Sequence, residues 1–278
     1  MGALRMNRSI KILARCLLVC CALIFALPFL WMLLTSLKPA ADIYTMPLAM
    51  FGTRVAWSNY WDAWTFLPFG RFLFNSFFVS SSVMIIALIT SSLAAYAFAR
   101  ISWKGRDAVF LLYLGTLMVP AQVTVIPLYL LMNILGWRGT YVSLILPVSF
   151  SAFGTFLLRQ FFMTIPFEIE ESGRIDGCNA FMLYSRIIMP MSVPALATLA
   201  IFTFIGQWKN FLWPLIVVSR DEIKTITVGL QMFVGQYATE WSVLMAAATL
   251  AIIPSIVMFM VFQRYLVSGI ALTGMGGR

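Results

Sequence analysis

PFEIEESGRIDGCNAFMLYSRIIMP, residues 166–190, is a polar island in a chain that is otherwise almost entirely apolar. It holds four of the ten acidic residues, Glu168, Glu170, Glu171 and Asp176, between two runs each long enough to cross a bilayer. A carboxylate at the bilayer centre costs about 3 kcal/mol, so a segment with four of them works outside the lipid. Pro166 suits the first turn of a helix, Glu168, Glu170 and Glu171 favour the positive end of its dipole, and Asp176-Gly177 is a turn signal. The island therefore reads as helix, turn, helix. In its second piece Phe181, Tyr184 and Ile188 recur at spacings of three and four, an apolar stripe. That stripe either docks into a groove on a partner or lies back on the chain's own inner surface.

Outside the island the composition decides the class. The chain has 278 residues, 62% of them apolar and 10% charged, with no histidine. Soluble domains carry about 25% charged residues, so this is a multispan, all-α membrane protein. The net charge of +9 comes without any basic cluster suited to a phosphate backbone, which excludes nucleic acid as a partner. Membrane lipid is the surrounding partner instead.

Six apolar runs read as transmembrane helices: 16–37, 72–98, 108–132, 141–158, 191–217 and 242–262. The basic N-terminus, 1–15, and the length of the first run favour an uncleaved span over a signal peptide. Residues 38–71 form an outer loop in which Trp57, Trp61 and Trp64 mark one face of a surface helix. Residues 159–190 form the inner loop that contains the island, 218–241 a second long outer loop, and 263–278 a tail. With this layout twelve Lys and Arg fall on the island's side and six on the other. The positive-inside rule then puts both termini and the island in the cytoplasm.

Enzyme chemistry is not expected. There is no histidine, no metal-ligand set and no Gly-rich phosphate loop, so the chain offers no catalytic residues and no metal site. Cys16, Cys20, Cys21 and Cys178 read as small packing residues. Lys209 is the one ionisable residue placed inside an apolar run, and no other run supplies an acidic partner. It either snorkels to the outer surface or puts a cation beside a pathway. An ion-coupled carrier acting alone is the alternative reading, and the missing acids argue against it.

Within the island, Glu171-Ser172-Gly173 is followed by Gly177 and then by Ile187-Ile188-Met189-Pro190. This resembles the loop motif of ABC importer membrane subunits: Glu-Ala-Ala, three residues, Gly, nine residues, Ile-x-Leu-Pro. Within that family it is most similar to the carbohydrate-uptake permeases, such as the smaller membrane subunit of the maltose importer. Further landmarks fall in order: Ser36-Leu37-Lys38-Pro39, Asn75-Ser76, Ala94-Ala95-Tyr96-Ala97-Phe98-Ala99-Arg100, Pro127-Leu128-Tyr129 and Phe211-Leu212-Trp213-Pro214. Ser172, Gly173, Cys178 and Met189 depart from the pattern.

The resemblance implies a type I ABC importer transmembrane domain in a bacterial inner membrane, translocating a sugar or sugar derivative by alternating access. It implies a homologous second permease subunit, two ATPase subunits that bind ATP and Mg, and an extracytoplasmic solute-binding protein, with no cofactor on this chain. The island becomes the ATPase-coupling segment, with Glu171, Ser172, Gly173, Asp176, Gly177, Asn179, Ala180, Phe181, Tyr184 and Arg186 at the contact. Asn75, Trp208, Lys209 and Asn210 become pathway candidates. The family often carries Trp-Asn-Asp at 208–210, so Lys209 either favours a phosphorylated or acidic solute or snorkels to the outer surface.

Overall fold

The computed structural model describes residues 8–44, 50–234 and 239–273, with side chains over 12–44, 50–234 and 239–264. The extremities of the expected N-terminal segment and tail, and parts of both long outer loops, lie outside the described residues. The main helical stretches of the described residues are α1 (Arg8–Ser36), α2 (Ser58–Thr65), α3 (Phe69–Arg100), α4 (Arg106–Gly115), α5 (Ala121–Ile134), α6 (Tyr141–Ile145), α7 (Ala152–Thr164), α8 (Phe167–Ile175), α9 (Ala180–Met191), α10 (Val193–Trp208), α11 (Leu212–Val217), α12 (Ile226–Gln231) and α13 (Trp241–Thr273). No strand occurs among the described residues.

Three of these helices, α1, α3 and α13, are each long and apolar enough to cross a membrane. Three further candidate spans are broken. Residues 108–132, expected as one span broken by Pro120 and Pro127, fold as α4 and α5 meeting at 97°, with Pro127 kept inside α5. Val119 precedes Pro120, where the proline ring disfavours helical backbone, and it adopts φ −83°, ψ 115°. The segment through α6 and α7 bends by 44° after Pro147, and α9 meets α10 at 77°. At that last corner Pro194 has no N–H to reach residue 190, and Ser192 sits at φ −98°, ψ 10°.

The described chain divides into two units. Met1–Phe69 with Leu230–Ile252 is one of them. In it Asn59 donates from Nδ2 to the carbonyls of Ser36 and Lys38, both at 2.8 Å, fastening α2 to the end of α1. Asn59 and Ala63 are the buried side of α2, and Trp57, Trp61 and Trp64 are exposed on the other. Asp42 accepts from the Thr53 amide at 2.6 Å and from its hydroxyl at 2.7 Å. Those two donors hold its carboxyl below the usual carboxylate range.

Gly70–Gly229 with Ile253–Arg278 is the other unit, and it contains the island. One of its cores joins α3, α7, α9 and α10 through Tyr96, Leu158, Phe162, Ile188 and Leu199. A second joins α3, α5, α6 and α11 through Val79, Val83, Met132, Leu144, Trp213 and Val217. In the latter, Trp213 Nε1 donates to the Ser143 carbonyl at 2.9 Å, as a buried indole requires.

Candidate functional site

The island folds as α8, a tight turn and α9. Glu168 and Glu170 occupy the first turn of α8, where the helix dipole favours negative charge. Its far end closes on Gly177, at φ +84°. The Gly177 amide bonds the Arg174 carbonyl at 3.0 Å and the Cys178 amide bonds the Gly173 carbonyl at 2.9 Å. This is the paired bonding of a Schellman motif, which needs a left-handed residue and so favours glycine. Two residues later Asn179 caps α9, its Oδ1 accepting from the Met182 amide at 2.9 Å. Asn179→Ala is expected to cost about 1 kcal/mol locally and to speed amide exchange over residues 180–183 about fivefold. Hydrogen exchange by mass spectrometry checks this, and unchanged protection would remove the cap from the account.

From Leu183 to Ile188 the helix widens into π turns, a form that recurs at functional sites. The widening lets Leu183, Tyr184 and Ile188 all face inward. The Tyr184 hydroxyl lies 2.7 Å from Ser92 Oγ, and its ring centroid is 5.4 Å from that of Tyr96. Phe181 turns away and is 68% exposed, while Ile175, at the end of α8, is 86% exposed. The expected stripe therefore splits: Tyr184 and Ile188 are buried on the chain itself, and Phe181, its ring 6.1 Å from that of Tyr184, stays exposed, as Ile175 does. Glu171, Ser172, Asp176, Asn179, Ala180 and Arg186 are exposed as well.

Gly173 is buried, and a Cβ built on it would sit 2.7 Å from Leu183 Cδ2 and 3.0 Å from Ile187 Cδ1. Its departure from alanine is thus matched to the close approach of α8 and α9. Ser172 is exposed, its Oγ donating to the Ile169 carbonyl at 2.9 Å, and Cys178 is half-buried.

Sequence reasoning missed Arg100, Glu170 and Ile175. Arg100 is the last residue of α3, and its Nε lies 2.9 Å from Glu170 Oε1, with the two side chains 5% and 0% exposed. Its Nη2 donates to the carbonyls of Phe162 and Ile165, the latter at 2.6 Å. One guanidinium thus caps the end of α7 and neutralises a carboxylate of α8. Arg174, at 4.0 Å, is the second cation near Glu170. The available signal was spacing: Glu170 and Gly173 are three apart, on one face of a helix, and that face proves to be the buried one.

The four pathway candidates fall in different settings. Asn75 is fully buried, its Nδ2 donating to the carbonyls of Glu222 and Lys224, both at 2.9 Å, and its Oδ1 accepting from the Tyr141 hydroxyl at 2.7 Å. Trp208 is buried and stacked on Phe204 at 5.7 Å. Lys209 is exposed at the end of α10, where a cation favours the helix dipole. Asn210 follows in the break before α11 and donates to Gln207 Oε1 at 3.2 Å. Thr203, Gln207 and Asn210, at spacings of four and three, form a half-buried polar stripe on an apolar segment. Thr203 and Gln207 border an open cleft of about 220 Å³ with Phe150, Phe153 and Phe202. Polar groups at membrane depth face protein or a water-filled cavity. No group of three metal-ligating side chains occurs among the described residues.

Residues 87–272 match the family model described as binding-protein-dependent transport system inner membrane component. The chain is 34% identical over 277 residues to the sn-glycerol-3-phosphate transport system permease protein of Agrobacterium fabrum, covering 96% of this chain and 98% of that one. It is 33% identical over 261 residues to the arabinooligosaccharides transport system permease protein of Bacillus subtilis, covering 92% of each. In fold it is similar to a chain from the crystal structure of a bacterial ABC transporter involved in import of the acidic polysaccharide alginate. That similarity has a TM-score of 0.83 at 22% identity, over 96% of this chain and 99% of that one. From the model match and both relatives, the chain belongs to the inner-membrane permease family of binding-protein-dependent ABC transporters.

Proposed function

We propose that the chain is one of two membrane subunits of an ATP-driven importer, moving a sugar or sugar derivative by alternating access. In this reading the island and both termini lie in the cytoplasm, and a separate ATPase subunit receives the island. A distinct homologous permease completes the pathway, and an extracytoplasmic binding protein delivers the solute. The observation that carries the reading is the island's composition of exposed and buried side chains: Ile175, Phe181, Glu171, Asp176 and Arg186 are all exposed, while Tyr184 and Ile188 pack it into α3, α7 and α10. Large apolar side chains left exposed among charged ones on a packed base suit a protein groove. The complex reconstituted in liposomes with its binding protein is expected to take up solute only with ATP. Uptake by this chain alone, without an ATPase subunit, would establish an ion-coupled carrier instead.

A phosphorylated or acidic solute is favoured by one further observation, the exposed Lys209 at the end of α10 beside the Gln207–Asn210 pair. The relative named for sn-glycerol-3-phosphate agrees with it. Lys209→Gln is expected to raise the KM for an anionic solute about fivefold, as loss of roughly 1 kcal/mol of partly screened attraction does, and to leave a neutral sugar unaffected. Equal effects on both solutes would return Lys209 to a snorkelling role.

A further inference from the structure

Arg100 and Glu170 form an ion pair whose side chains are 5% and 0% exposed. Stability alone does not explain it, because well-packed apolar side chains in place of a buried pair are often as stable or more so. What charge adds here is an attraction that apolar packing would not supply: Nε stands 2.9 Å from Oε1, an ion pair without the alignment of a hydrogen bond. The Arg100 fork reaches Glu170 with Nε and the carbonyls of Phe162 and Ile165 with Nη2, so it fixes three elements at one point. These are the end of α3, the end of α7 and the first turn of α8.

Covalent connections alone leave the island loosely hung. Between α7 and α8 the chain passes through Ile165 and Pro166, both extended, with ψ 126° and 138°. On the other side α9 turns through 77° at Ser192 before α10 begins. Each corner is a place where a push on the island would be absorbed by backbone rotation. Nothing in the covalent chain joins the island directly to α3. The Arg100–Glu170 pair does so for α8, and the Ser92–Tyr184 hydrogen bond at 2.7 Å does so for α9.

We infer that Arg100 and Glu170 are positioning residues for energy coupling: the pair makes the island move as one body with the ends of α3 and α7. This rests on the function proposed above, in which an ATPase subunit displaces the island. Neither residue touches solute or nucleotide in this account. Glu168 and Glu171, on the exposed side of α8, remain free to meet the partner.

The test uses the complete reconstituted complex and reads solute taken up per ATP hydrolysed. Glu170→Gln keeps the shape and the acceptor oxygen but removes the charge. Assembled complexes carrying it are expected to go on hydrolysing ATP while the ratio falls about tenfold, within the range by which single residues alter coupling between sites. A purely structural staple would lower the amount of assembled complex and leave the ratio per complex unchanged, and that result overturns the inference. Should Glu170→Gln not assemble, Arg100→Lys, which keeps the cation and loses the fork onto the two carbonyls, is judged by the same ratio. Failure of both to assemble would assign the pair to folding alone and also overturn it. A wild-type complex with no ATP-driven uptake would instead sink the proposed function, so the two failures are distinct.

Discussion

Gly177→Pro is expected to abolish ATP-driven uptake while leaving insertion of the chain into the membrane intact. Gly177 sits at φ +84°, and proline is locked near −65°. Its amide donates to the Arg174 carbonyl, a bond proline cannot make. The substitution therefore opens the turn, frees the Schellman pairing with Gly173 and separates α8 from α9, at a cost of about 3 kcal/mol or more. Insertion depends on the apolar runs, none of which includes residue 177. Gly177→Ala is the graded control: it keeps the N–H and carries only the left-handed penalty of about 1–2 kcal/mol. Uptake and membrane content measured together check both. Normal uptake with Gly177→Pro would end the assignment of the island as the driven element.

Asn75→Leu is the second large effect. It removes two donated bonds and one accepted bond, about 1 kcal/mol each, or about 3 kcal/mol in all. The loss falls on one segment. Asn75 holds the carbonyls of Glu222 and Lys224, and the neighbouring Ser76 Oγ accepts from the Ile226 amide at 2.7 Å. Amide exchange across residues 223–229 is expected to accelerate about a hundredfold, while residues 166–190 keep their protection. Tyr141→Phe separates the contributions, since it removes the bond accepted by Asn75 Oδ1 and keeps both donated bonds. If exchange in 223–229 stays at the wild-type rate in Asn75→Leu, Asn75 does not pin that segment.

The helix–turn–helix reading of the island was legible because Pro166, the acids after it and Asp176-Gly177 act through local backbone chemistry that tertiary contacts do not alter. Which side chains face inward was less legible. Phe181 and Tyr184 fit one helical stripe at 3.6 residues per turn, but the π turns from Leu183 to Ile188 spend an extra residue per turn and rotate the later positions. Glu170 and Glu171 are chemically identical neighbours, and the one on the helix face shared with the buried Gly173 is the one that meets Arg100, seventy residues earlier. Proline flagged the break between α4 and α5, yet its 97° angle depends on packing that local sequence does not encode. Asn75 was singled out with the pathway residues, and its three partners lie 66 to 149 residues away in sequence.

The supports of the island also define what can be exchanged between relatives. Transplanting residues 166–190 into another permease would carry Gly173 together with the Leu183 and Ile187 side chains it accommodates. It would leave behind Ser92, Tyr96 and Arg100 on α3, and the Phe162 and Ile165 carbonyls at the end of α7. The heritable module is therefore discontinuous in the gene though contiguous in space: a graft of 166–190 works only in a recipient that presents matching side chains at 92, 96 and 100.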